Sequence, residues 1–176
     1  MNPWLKNYET PHVKAVILNH ARDLHSKYRP LDPVNHLSLT GENLDDWRLQ
    51  ANAMELINSG ATQTDVLQLY RDWFGMLNRG RLLTPVGCSD SHDVSRYIVG
   101  QSRTYIQAED REPGKIDIGQ AVQSFVNGKV LLSYGLLTQM KVNSRYGPGE
   151  LVPSAKAWNV SLTVSGPSWV KAEQIQ

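Results

Sequence analysis

One cysteine, two phenylalanines and no long apolar run set the first limits on this chain of 176 residues. The lone Cys88 excludes an internal disulfide and a cysteine-based zinc site, and it reads as a small buried strand residue rather than a nucleophile. No stretch of about 18 apolar residues occurs, so no membrane span is expected. Met1 to Thr10 has no signal-peptide core. An excess of one charge is lacking too. The 18 Lys and Arg stand against 17 Asp and Glu, for a net charge of +1, and no basic patch invites nucleic acid. At 40% apolar residues the composition is that of an ordinary globular domain.

What is present is concentrated at the ends of two short apolar runs. Leu83-Thr84-Pro85-Val86-Gly87 leads into Cys88-Ser89-Asp90-Ser91-His92-Asp93, with a carboxylate and an imidazole two positions apart. In an extended segment, residues i and i+2 share a side, so Asp90 and His92 can converge beyond the strand. Ala15-Val16-Ile17-Leu18 likewise ends in Asn19-His20-Ala21-Arg22-Asp23-Leu24-His25. Carboxylate oxygen plus neutral imidazole is the ligand mix of hydrolytic Zn, Mn or Fe centres. Spacing alone is a moderate signal, because Asp-x-His also occurs in ordinary surface sequence, and a lone strand-end histidine more often bonds a backbone carbonyl. Two such strand ends on one rim of a parallel sheet favour the site. Asp23 and His25 are weaker candidates that would orient a ligand or a loop. His12 and His36 read as surface residues.

The rest of the chain alternates helices and strands. Thr64 is placed to cap a helix over Asp65 to Arg79, with Val66, Tyr70, Trp73 and Leu77 as its apolar stripe and Gly80 as its stop. Ile118, Ala121, Val122, Phe125 and Val126 form a second stripe, ended by Gly128. Strands are expected at Leu82 to Val86, Val130 to Ser133 and Ala53 to Ile57. That alternation predicts a parallel α/β sheet. Lys27 to Asp46 reads as a long loop with one helical turn, placed to form a substrate rim. After Gly135, Val160, Leu162 and Val164 alternate with polar residues, as in a half-buried antiparallel strand.

These segments carry a resemblance. Val16 to Ser26, Thr84 to Gln101, Gly100 to Ile106 and Val130 to Gly135 are similar to the later metal motifs of the PHP (polymerase and histidinol phosphatase) superfamily, closest to its CehA/McbA-type metallohydrolases. The resemblance spans roughly residues 13 to 152, and Ser89-Asp90-Ser91-His92-Asp93-Val94-Ser95-Arg96-Tyr97 is its most specific run. It implies a distorted (β/α)7 barrel with two or three divalent metals, and it matches His20, Asp90 and His92 to ligand positions. Ala21 stands where that branch usually has proline. The opening His-x-His pair of the superfamily is missing, and only 19 residues precede His20. The expectation is therefore a partial barrel with mainly parallel strands over residues 1–136, the C-terminal part of the domain. A truncated, antiparallel, sandwich-like β extension would follow over 137–176.

The function so implied is metal-dependent hydrolysis of a small-molecule phosphoester, carbamate or amide by a metal-activated water. The metal site is expected to be impaired by the missing ligands. Arg22, Arg96 and Arg103 could meet an anionic substrate oxygen, although pairing with local carboxylates is the simpler reading for at least two of them. The competing expectation is a non-catalytic remnant that binds a partner, with self-association through open sheet edges. A carbohydrate-binding β module would rest on the short tail alone.

Overall fold

The computed structural model describes residues 10–25, 27–44, 50–59, 65–95 and 98–175. At its centre is a three-stranded parallel sheet of β1 (Ile17–Leu18), β4 (Ala53–Asn58) and β5 (Thr84–Cys88), in the order β1-β4-β5. Every residue of β4 is buried, as a central strand covered on both faces requires. Between β1 and β4 the chain forms a small antiparallel pair, β2 (His36–Leu37) with β3 (Glu42–Asn43). The segment expected to be a loop with a helical turn thus contains a hairpin.

Helix α1 (Val66–Asn78) connects β4 to β5 and packs on the sheet. Asp65 caps it by accepting from the Leu67 N–H, and Gly80 follows its end at φ 77°. Thr64, the expected cap, lies outside the described residues. The buried face of α1 carries Leu69, Asp72 and Met76, with Tyr70 and Trp73 partly buried beside it. This face is rotated from the expected stripe toward a buried carboxylate. Leu69 and Met76 join Leu18, Ala21, Leu31, Met54, Leu56 and Leu83 in one apolar cluster. The β2–β3 turn also seats on α1. A Cβ on Gly41, itself at φ +66°, would lie 2.3 Å from the Gly75 carbonyl carbon.

Beyond β5 the parallel ladder stops. β6 (Arg103–Ile106) and β7 (Val130–Ser133) pair with each other antiparallel, and β8 (Leu137–Val142) pairs antiparallel with β9 (Val160–Ser165). This corrects the expected barrel of mainly parallel strands, since among the described residues the largest sheet has three strands and the other three have two each. The reason lies in the connection from β6 to β7. A parallel crossover must carry the chain back along the length of the strand it left. Here helix α2 (Ile118–Val126) lies in an excursion that returns to its starting point, where the Gln107 N–H donates to the Lys129 carbonyl at 3.0 Å. Val130 therefore pairs with Ile106, and the strand direction reverses.

The apolar stripe on α2 is not covered. The helix buries none of its residues, and Ile118 is 76% exposed. In the tail, Val160 and Leu162 alternate as expected but stay 58% and 36% exposed, because among the described residues no layer faces these two strands. Among the described residues no helix is long and apolar enough to cross a membrane.

Candidate functional site

Because β1, β4 and β5 run parallel, their C-terminal ends share one edge, and the sequence candidates meet there. His20 lies two residues past β1, Asp90 two past β5, and Glu55 stands within β4 between them. His20 Nε2 is 3.8 Å from Asp90 Oδ1, and His92 Nε2 is 2.9 Å from that same oxygen. On its other side, His20 Nδ1 is 3.5 Å from Glu55 Oε1. That ring nitrogen is buried and has no hydrogen-bond partner.

The backbone here is bent in an uncommon way. His20 sits at φ 53° and Asp90 at φ 51°, in the left-handed region. Such a conformation costs roughly 1–3 kcal/mol for a residue with a side chain and clusters at functional sites. Both strands thus turn sharply at the residue that supplies a polar group.

Glu55 is held from two sides. Its Oε1 accepts from Asn58 Nδ2 at 3.0 Å, and its Oε2 accepts from the Cys88 thiol at 3.1 Å. The register between β4 and β5 shifts between Glu55 and Ile57, an irregularity that re-aims side chains. Burial, and then the charge and hydrogen bond of Glu55, push the Cys88 thiol up to about 12. Cys88 is therefore a protonated donor and not a nucleophile.

The chain matches no family model, no curated protein and no solved structure. The PHP resemblance consequently stands on the quoted residues alone, and the chemistry has to be read from the side chains themselves.

Their donor set, two imidazoles and two carboxylates, is suited to a divalent cation. The orphaned His20 Nδ1 facing a buried carboxylate fits a ring that is oriented to use its other nitrogen. The donors meet in pairs, however. Among the described residues no group of three or more His, Cys, Asp or Glu is arranged to hold a metal ion.

The supporting candidates fall elsewhere. Arg22 turns inward and clasps Asp72, with Nε to Oδ2 at 2.6 Å and Nη2 to Oδ1 at 3.0 Å. The Asp23 carboxylate accepts from the His25 N–H at 2.8 Å, closing its own turn, and His25 is exposed. Ser102 and Thr104, which flank Arg103, both bond into β4 and β5. Alternation along the strand therefore places Arg103 on the opposite face of β6. Arg96 lies outside the described residues. His12 is exposed, whereas His36, also expected at the surface, is 1% exposed, with Nδ1 2.7 Å from Asn43 Oδ1.

Glu55 was missed in the sequence, although a signal was there. An acidic residue in the middle of Ala53-Met54-Glu55-Leu56-Ile57 must be buried if the run is a core strand, and buried carboxylates are held for a reason.

Proposed function

We propose that the chain is a metal-dependent hydrolase of phosphoester, carbamate or amide bonds, its site formed by His20, Asp90 and His92 with Glu55 behind them. The observation that carries this reading is the convergence of two strand-end imidazoles on Asp90 beside a buried Glu55, with left-handed backbone at both His20 and Asp90. A divalent Zn, Mn or Fe ion held there would acidify a bound water and polarise the scissile group. The chain's own part is orientation. Cys88 and Asn58 fix Glu55, Glu55 faces His20 Nδ1, and His20 Nε2 and His92 Nε2 flank Asp90. Donors gathered in pairs predict weak affinity, because ligand count and the shell behind the ligands both contribute to binding. Equilibrium dialysis against Zn2+ and Mn2+ tests the reading. Binding should be measurable in the parent chain and lost in Asp90→Asn and His92→Ala. Identical binding in all three proteins would refute it.

A second reading, partner binding, is favoured by α2. Its apolar side borders a groove lined by Lys14, Ile118, Val122 and Val126. Under that reading Ile118→Lys abolishes self-association in sedimentation velocity and leaves metal binding unchanged.

A further inference from the structure

β7 ends at Ser133, and the next residue reaches back to the central strand. Tyr134 Oη lies 3.4 Å from the Asn58 carbonyl oxygen, 76 residues away in sequence. Strand alternation accounts for the reach. Ser102 donates to the Ile57 carbonyl, and Thr104 Oγ1 bridges the N–H and the carbonyl of Gly87, so this face of the β6–β7 sheet looks onto β4 and β5. Leu132, paired with Thr104, packs against the core, and Tyr134 lies two residues further along the same face.

Asn58 is also the residue whose amide holds Glu55 Oε1. The phenol and the buried carboxylate of the site thus share Asn58, Tyr134 through its backbone carbonyl and Glu55 through its side-chain amide. Burial, and then the neighbouring Cys88 with a further contribution from Glu55, push the Tyr134 hydroxyl up, and it remains a proton donor. Its bond to Asn58 is long for an O–H donor, and the residue is 52% exposed, so the O–H can be redirected toward an arriving group.

We propose that Tyr134 is a substrate-orienting residue whose hydroxyl donates a hydrogen bond to an oxygen of the scissile group. The proposal rests on the metal-site reading above. It identifies a neutral donor where Arg22 is consumed by Asp72 and Arg103 faces away.

The test is calorimetric titration of acetohydroxamate into the full chain saturated with Zn2+, for the parent and for Tyr134→Phe. One hydrogen bond is worth about tenfold in affinity. Tyr134→Phe should bind acetohydroxamate about tenfold more weakly, with Zn2+ affinity within about twofold and an unchanged thermal midpoint, since the ring is retained. Equal hydroxamate affinity in the two proteins would overturn the proposal, as would a Zn2+-loaded parent that binds no hydroxamate. A loss of Zn2+ affinity in its place would assign the hydroxyl to holding Asn58 and Glu55 and overturn the substrate contact. Failure of the parent to bind Zn2+ would remove the metal-site reading and this role together, and is distinguished by measuring Zn2+ first.

Discussion

Replacing Arg22 by methionine should destabilise the fold by about 3 kcal/mol, the low end of what breaking a buried ion pair costs. Asp72 on α1 is fully buried and accepts from Arg22 Nε and Nη2. Ser38 Oγ accepts from Arg22 Nη2 at 3.0 Å and from Gln68 Nε2 at 2.7 Å, joining the hairpin region to the helix. Methionine keeps much of the aliphatic volume and removes the guanidinium. Asp72 would then keep only Gln68 Nε2, at 3.3 Å from Oδ1, with His36 Nε2 at 3.9 Å. The low end applies because the Arg22 side chain is 14% exposed, so water can reach part of the vacated volume. With a urea slope of about 2 kcal/mol/M, the midpoint should fall by about 1.5 M. Tryptophan fluorescence reports the transition, since Trp73 packs on the core and donates to the Leu83 carbonyl. The double variant Arg22→Met/Asp72→Leu should recover most of the loss, because removing both partners of a buried pair is often close to neutral. A single-variant loss below about 1 kcal/mol, or a double variant as unstable as the sum of its parts, would refute the uncompensated-charge reasoning.

Three further outcomes follow from the packing. Gly75→Ala would raise helix propensity by about 1 kcal/mol in an open helix. Here its Cβ would lie 2.2 Å from the Ser38 carbonyl oxygen, so chemical denaturation should show a net loss of about 1–3 kcal/mol. Met76→Ala, at a residue 1% exposed in the core cluster, should cost about 2–5 kcal/mol in the same assay, and a loss below about 1 would contradict the assigned core. With the folded Cys88 pKa raised from 9 to about 12, the protonated thiol contributes stability that is full below pH 9 and is lost as pH rises toward about 12. Cys88→Ala should flatten that part of the stability–pH profile, and iodoacetamide should label native Cys88 far more slowly than the urea-unfolded chain at pH 8.5.

The strands were legible where short apolar runs meet turn residues, and their partners were not. β4, β5 and β7 lie close to their expected positions, yet the run at Val130 gave no hint that it lies antiparallel to β6. Direction depends on where a connection returns, and that is fixed by contacts such as Gln107 to Lys129, which periodicity does not encode. Helix α2 lies where its stripe predicted it, yet its burial was not legible, since an amphipathic pattern states what a face would gain by being covered and not whether a neighbour exists. Polar burial was harder still. Asp72 and His36 are interior only because Arg22 and Asn43 reach them from other elements. At the site, the strand-end spacing brought His20, Asp90 and His92 into view, and the apolar run around Glu55 signalled a buried carboxylate, whereas its partners and Tyr134 needed the register of three strands and the reach of a fourth.

The excursion between β6 and β7 has a consequence for how this chain can change length. The chain leaves the sheet at Gln107 and re-enters at Lys129, and one hydrogen bond already closes that gap. Everything between is therefore a cassette. Insertions, deletions or an unrelated segment grafted there should leave the β6–β7 ladder in register. Two tethers join the cassette to its surroundings: Thr84 Oγ1, which is buried and donates to the Phe125 carbonyl at 2.8 Å, and the Asn127–Gly128 backbone, which packs closely on Gly149. A shortened chain would orphan that hydroxyl, and Thr84→Val would be the companion change that lets a lineage, or an engineer, shorten the excursion while keeping the Asn127–Gly128 seat on Gly149.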